Sequence, residues 1–296
     1  MTTEIIWKAP GKIIQGTHYI LSGPEDSQRL IVLIHGNSFY SFYYNSLTEK
    51  LAAHGFRVLV YDLLGRGFSS PNPSGQYDAS SHIDQLRQLL VHLNIVSRPY
   101  DILAHSMGGG LGALYAAKYP SEINSLTLIA PAGLMKIPLM PVIRNVRLLR
   151  YLIRNAKQKS QEADWRGDFY DNTTPGENLD KLNSLVASNW LQYKNNPNAF
   201  HAFWRTIVEF PMTGASEEVK ILSETADLPI FIIWGKEDKG VPFSCLQSWT
   251  DILQKGKCKL TTRPVEKAGH GVLIEHADTI TPEILAFLDD ARRKTV

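Results

Sequence analysis

Ser106 stands where a short apolar run, Ile102 to Ala104, gives way to three successive glycines, Gly108, Gly109 and Gly110. Beyond them Leu111-Gly112-Ala113-Leu114-Tyr115-Ala116-Ala117 reads as a helix. A strand that turns at once into a helix holds the turn residue exposed at the carboxyl edge of a sheet. Small neighbours are needed there because the backbones approach closely. Met107 opens the helix, so its N–H is aimed at whatever binds the serine oxygen. Ser106 is therefore a candidate nucleophile. The usual spacing is G-x-S-x-G, and Ala104, the smallest side chain available, replaces the first glycine. A serine in a Gly-rich turn can also be no more than a turn, so the remaining chemistry must be found elsewhere. The same stretch, Gly108-Gly109-Gly110-Leu111-Gly112-Ala113, fits the dinucleotide fingerprint G-x-G-x-x-A. That site needs an acidic residue closing the next strand, about 20 residues on. The next strand, Ser125 to Ile129, ends instead in Ala130-Pro131-Ala132.

Nucleophilic serine catalysis needs a base, an acid that orients the base, and donors for the oxyanion. In an open parallel sheet all of them must come from the carboxyl ends of strands. His270 follows the last strand, within Ala268-Gly269-His270-Gly271, and Asp238 follows the strand that closes at Ile233-Trp234-Gly235. His35-Gly36-Asn37 follows another apolar run, where a backbone N–H can face the nucleophile. Each has a plainer reading. Asp238 could cap the following helix and Glu237 could be the acid instead. His270 is one of nine histidines, and His35 suits shaping its loop by hydrogen bonding. Their joint occurrence at strand ends, in the chain order Ser, Asp, His, favours the catalytic reading.

The elements that must position these residues can be read in order. Ile13 to Leu21 reads as one strand ending at Gly23-Pro24. Leu30 to Ile34 is a near-continuous apolar run, as expected of a strand buried on both faces. A helix from Tyr44 to His54, a strand from Phe56 to Tyr61, a helix within Ser81 to Asn94 and a strand from Asn124 to Ile129 follow. The alternation predicts a mostly parallel, doubly wound α/β sheet. It breaks from Pro131 to Thr213, where helix-like stretches and aromatics dominate, and resumes at Pro229 to Gly235. A helix from Ser244 to Leu253, a strand from Cys258 to Val265 and a last helix capped at Thr281-Pro282 complete the chain. The expected organisation is a core of residues 1–130 and 214–296 with a helical insertion at 131–213.

The 296 residues suffice for one such domain, and 44% hydrophobic, 20% charged and a net charge of +2 are ordinary for a globular protein. That balance gives no sign of a nucleic-acid partner. Cys245 and Cys258 lack C-x-x-C spacing, and no metal or cofactor is expected. Met1-Thr2-Thr3-Glu4 lacks a basic region followed by an apolar one, and no apolar run reaches the ~18 residues of a membrane span. A cytoplasmic protein is expected.

His35-Gly36-Asn37, Asp62-x-x-Gly65-x-Gly67-x-Ser69, the turn at Ser106, Gly235-x-x-Asp238-x-x-Val241-Pro242 and Gly269-His270 occur together in this order. In that set the chain resembles the α/β-hydrolase superfamily, in the branch of capped, lipase- or monoacylglycerol-lipase-like serine hydrolases. The resemblance implies an α/β-hydrolase fold with a cap after the sixth strand. It implies Ser106 as nucleophile, His270 as base, Asp238 as its partner, and an oxyanion hole from the backbone N–H groups of Met107 and Asn37. Dehalogenases and epoxide hydrolases of this fold carry an aspartate at the turn, so serine points to carbonyl substrates such as esters. A carbon–carbon bond hydrolase of ring-cleavage type and a slow-turnover ligand receptor are the alternatives.

The insertion matches nothing specific. From Leu134 to Lys159 it carries Lys136, Arg144, Arg147, Arg150, Arg154, Lys157 and Lys159 and no acid. Arg144, Arg147, Arg150, Arg154 and Lys157 fall on one face of a single expected helix, which could rest on an anionic membrane. The plainer expectation is a helix packing its apolar side on the body with a solvated basic face. The substrate is expected to be an ester or lipid, in an apolar acyl pocket walled by Phe39, Met107, Leu134 and cap aromatics.

Overall fold

The computed structural model describes residues 9–225 and 227–293; the N-terminal residues on which the signal expectation rests lie outside that range. In chain order the elements are β1 (Lys12–Ile14), β2 (Thr17–Ser22), β3 (Leu30–Ile34), α1 (Asn45–Ala53), β4 (Arg57–Tyr61) and α2 (Ala79–His92). There follow β5 (Tyr100–His105), α3 (Met107–Lys118), β6 (Ile123–Ile129), α4 (Met140–Asn145), α5 (Arg147–Gly167), α6 (Glu177–Asn195) and α7 (Ala199–Glu209). The chain closes with α8 (Ser216–Thr225), β7 (Pro229–Gly235), α9 (Cys245–Leu253), β8 (Lys259–Val265), α10 (Val272–Glu275) and α11 (Ala277–Arg293).

The eight strands form one sheet in the order β1-β2-β4-β3-β5-β6-β7-β8. From β4 to β8 neighbouring strands run parallel, and β2 joins β4 antiparallel. The central strands alternate strictly. Val32, Ile34, Ile102 and Ala104 enter the apolar core on one face, while Ile31, Leu33 and Leu103 enter the core on the other. Helices α2, α3, α8 and α9 cover the first face, and α1 and α11 the second. Strand order reverses about β3: β4 is added on one side and β5 on the other. A crevice opens outside the carboxyl ends of two strands so divided.

Three elements differ from the sequence reading. The single strand expected over Ile13 to Leu21 is a hairpin, because Gln15 (φ 47°) and Gly16 (φ 78°) form a two-residue turn of the left-handed kind. The last helix begins at Ala277, not at Thr281, and Pro282 lies inside it. That proline falls in the second turn, where it removes only one backbone bond. The stripe Ile280, Ile284 and Leu288 packs into the core across it. The expected basic helix is broken at Val146, whose extended backbone (φ −97°, ψ 103°) separates α4 from α5.

The faces of that segment are also distributed differently. Arg144 donates to the Phe210 carbonyl at 2.9 Å, and the Arg154 guanidinium lies 5.4 Å from the centre of the Phe200 ring. Outward instead face Val142, Val146, Leu148, Tyr151 and Leu152, with Leu148 68% exposed. The Arg144 and Arg154 stems lie along the protein, while Arg147 is exposed beside the outward apolar side chains. Among the described residues no helix is long and apolar enough to cross a membrane.

Candidate active site

Ser106 is the single residue between β5 and α3, at φ 58° and ψ −125°. That conformation is disfavoured for a side-chain-bearing residue by about 1–3 kcal/mol and persists only where the surroundings impose it. Here they do. The Ser106 N–H donates to Ile129 O at 2.9 Å, and its carbonyl accepts from Gly109 and Ala132, each at 2.9 Å. A Cβ at Gly108 would lie 2.4 Å from the carbonyl oxygens of Ile34 and His35, so only glycine lets α3 start this close to β3. Ala104, which departs from the usual pattern, fits because Gly112 faces it. A Cβ built on Gly112 would come within 3.1 Å of the Ala104 methyl. The small residue has in effect moved from the strand to the helix.

His270, in the loop after β8, places Nε2 2.8 Å from Ser106 Oγ and Nδ1 2.8 Å from Asp238 Oδ2. Asp238, in the loop after β7, has its other oxygen filled by the N–H groups of Gly240 (2.8 Å) and Val241 (2.9 Å). With the carboxylate as acceptor, Nδ1 carries the proton and Nε2 is free to accept the serine hydroxyl. The ring and the loop that carries it are held by three further contacts. His105 Nε2 donates to the His270 carbonyl at 3.0 Å. Glu275 accepts the Gly269 N–H at 2.7 Å and the Tyr170 N–H at 2.6 Å. At Gly240 a Cβ would press within 2.9 Å of the imidazole. Glu237, the other acid in this loop, turns to the Ala268 N–H at 3.0 Å.

Both His270 and Asp238 are buried. Burial, the largest influence on His270, opposes its charge, but Asp238, by charge and hydrogen bond, and the nearby Asp168 outweigh it. The imidazole is thus more basic than an ordinary histidine. Burial pushes the Asp168 carboxyl up to about 7, against the pull of His270. His35 is a different case: burial lowers it to about 4, and its Nε2 accepts the Leu63 N–H at 3.0 Å, which fixes the loop after β4.

Asn37 and Met107 border the same cavity as Ser106. Among the described residues neither backbone N–H donates to a protein acceptor. The Asn37 side chain is clamped: its Nδ2 donates to Phe203 O at 3.1 Å and its Oδ1 accepts from Arg66 Nη2. Arg66 is buried, and it also donates to Ala202 O (3.1 Å), Thr206 Oγ1 (2.6 Å) and Leu64 O (2.8 Å). It therefore ties the loop after β3 to α7. Asp62, at the head of the same motif, accepts from His18 Nδ1 (2.7 Å), Ser41 N (2.7 Å) and Phe68 N (2.9 Å). Its role is to brace these loops.

The cavity above Ser106 holds about 320 Å³, within the range of small-molecule sites. Phe39 lines it, as do Trp165 and Phe203. Leu134 does not: it is buried in the core beside α3, and its neighbour Met135 faces the cavity. Met135, Ile137, Met140, Met212 and Val241 contribute apolar lining. Lys157, Gln161, Asp164 and Asp168, four or three residues apart around α5, contribute polar lining. The sequence reading marks neither Arg66 nor Glu275, and of the α5 stripe it marks only Lys157, as part of a solvated basic face. The helical spacing of the stripe was visible, but a polar helical face reads as solvated by default.

A family model described as alpha/beta hydrolase fold matches residues 29–277. The chain is 27% identical over 274 residues to a bifunctional esterase/perhydrolase of Acinetobacter calcoaceticus, covering 90% of this chain and 93% of that one. It is 25% identical over 291 residues to a cis-3-alkyl-4-alkyloxetan-2-one decarboxylase of Xanthomonas campestris, covering 92% and 91%. A solved structure reported among carboxylesterases of the thaumarchaeon Nitrososphaera gargenis superposes with a TM-score of 0.72 at 21% identity, covering 94% and 96%.

Proposed function

The chain belongs to the α/β-hydrolase fold family, and from that premise we propose that it hydrolyses carboxylic esters through Ser106, His270 and Asp238. The observation that carries this reading is the continuous pair of 2.8 Å contacts from Ser106 Oγ through His270 to Asp238 at the floor of the cavity. His270 Nε2 takes the hydroxyl proton as Ser106 Oγ bonds to the ester carbonyl carbon. The carbonyl oxygen becomes an oxyanion held by the N–H groups of Met107 and Asn37. Collapse of the tetrahedral adduct expels the alcohol, which leaves with the proton from His270. Water, deprotonated by His270 in turn, releases the acid from the acyl-enzyme. Helices α4 to α7 act as the cap that closes the cavity. Its Met-rich lining supports an apolar acyl chain, and the esterase relative supports the bond type.

The carbon–carbon hydrolase alternative is less well served. A dicarbonyl substrate develops negative charge away from the serine, and the lysine in the polar lining, Lys157, is already paired with Asp164 at 3.0 Å. The outward Leu148, Tyr151 and Leu152, beside the exposed Arg147 and Lys159, support contact with a lipid surface. Hydrolysis of p-nitrophenyl esters from acetate to decanoate tests the reading. Ser106→Ala should lower kcat by about 10⁴-fold or more. Equal rates for short and long acyl chains would remove the apolar acyl site from the account.

A further inference from the structure

The water that completes ester hydrolysis gives one hydrogen to the base and needs an acceptor for the other. The polar lining of the cavity offers few. Asp164 accepts from Lys157 Nζ at 3.0 Å and from Ser160 Oγ at 3.1 Å. Gln161 is hydrogen-bonded to Tyr193, and Asn37 Oδ1 accepts from Arg66. Asp168 is the remaining carboxyl group. It lines the cavity, and among the described residues no protein group donates to its carboxyl oxygens. A carboxylate in so enclosed a place is unfavourable unless water or a ligand meets it. Backbone contacts fix its place beside the reacting groups. The Asp168 carbonyl accepts the Gly271 N–H at 2.6 Å, and a Cβ at Gly269 would lie 2.4 Å from that carbonyl oxygen. These two glycines flank His270, so the end of α5 is pressed against the loop that carries the base. The charges of Asp168 and His270 act on each other accordingly.

We propose that Asp168 holds the hydrolytic water: its carboxylate accepts one O–H of that water while His270 Nε2 takes the proton of the other. This rests on the ester-hydrolase reading. The water oxygen bonds to the acyl carbon as its proton passes to His270. Collapse of the adduct breaks the bond to Ser106 Oγ, which receives that proton, and the acid leaves with the second O–H. Asp168 itself neither gains nor loses a proton. Its part is orientation: with both hydrogens engaged, the water turns a lone pair toward the acyl carbon. The rest of the lining includes Met135, Ile137, Met140 and Met212, which give water little to bind. The insertion thus supplies the anchor that the sheet edge lacks.

Methanol separates this role from others. It has a single O–H, which goes to His270, so Asp168 assists water and not methanol. The protein turns over p-nitrophenyl octanoate in buffer containing methanol, well above the Asp168 midpoint of about 7. The initial ratio of methyl octanoate to octanoic acid then reads the competition. Both nucleophiles attack the same acyl-enzyme and use the same base, so a change in the basicity of His270 cancels. Asp168→Leu keeps the shape and removes the acceptors. It should raise the ratio about tenfold or more, the scale of one hydrogen bond to a charged group. Asp168→Asn keeps one acceptor oxygen and should raise it less than about threefold. A product ratio does not depend on how much protein is folded, and Asp168→Ala gives the same reading where leucine is not tolerated. A ratio unchanged without the acceptor, or raised equally by Asn and Leu, would overturn the role of Asp168 and leave the ester-hydrolase reading standing. A wild-type protein that forms neither product and takes no fluorophosphonate on Ser106 would overturn both.

Discussion

At the scale of residues, the site depends on small side chains as much as on reactive ones. Ala104 and Gly112 divide between them a space that admits one methyl group. Gly112→Ala should destabilise the protein by about 1–3 kcal/mol through overpacking, and Ala104→Gly in the same chain should restore most of the lost Tm. Additive losses in thermal melts would contradict the shared space. Asp168 acts on His270 in a way that pH can read. The base form of His270 grows as pH rises, so kcat/KM should climb on the acid side with a midpoint above the ordinary 6.5, since Asp238 and Asp168 together outweigh burial. Asp168→Asn removes one of the charges that favour the imidazolium, so the midpoint should move to lower pH. A midpoint that stays in place would show that Asp168 does not sense the ring. Ser106, Asp238 and His270 were legible in the sequence because their chemistry is tied to strand ends and chain order. Gln161 was not, because only its burial distinguishes it from a solvated glutamine.

At the scale of elements, the loops at the carboxyl edge are held from above by α6 and α7. Gln192 accepts the Gly67 N–H at 2.6 Å and donates to Ser38 O at 3.2 Å. Asn196 donates to the Gly65 and Gly67 carbonyls at 3.1 and 3.0 Å. With Arg66 between Asn37 and α7, the loop that carries Asn37 is fixed by the insertion, and on the proposed mechanism that loop supplies an oxyanion donor. Arg66→Met should therefore lower kcat by roughly tenfold to a hundredfold, somewhat less than the ~10²–10³ of deleting an oxyanion donor, with a smaller effect on KM. Steady-state kinetics beside a melting curve separate this from simple unfolding. A raised KM with unchanged kcat would place the role of Arg66 in binding instead. The central strands were legible because strands buried on both faces read as continuous apolar runs. The break at Val146 was not, because valine carries no stop signal. The hairpin turn at Gln15-Gly16 was hidden within a run of β-formers.

At the scale of the whole molecule, one sheet gathers groups separated by more than two hundred residues. Asn37 follows β3 and Ser106 follows β5, on the two sides of the point where strand order reverses, while Asp238 and His270 arrive from β7 and β8. The insertion then roofs this edge and presents Leu148 and Leu152 outward, 68% and 55% exposed. The protein should float with vesicles containing anionic phospholipid, less so at high salt, and Leu148→Ser with Leu152→Ser should weaken that association severalfold. Failure of the wild-type protein to float would confine the exposed apolar face to some other role. The central claim is that Ser106 is an activated nucleophile, and the most direct measurement is intact-protein mass after exposure to a fluorophosphonate. The account predicts one adduct, mapping to Ser106, absent in Ser106→Ala and strongly slowed in His270→Ala. A folded protein that takes no adduct, or takes it on another serine, would contradict it.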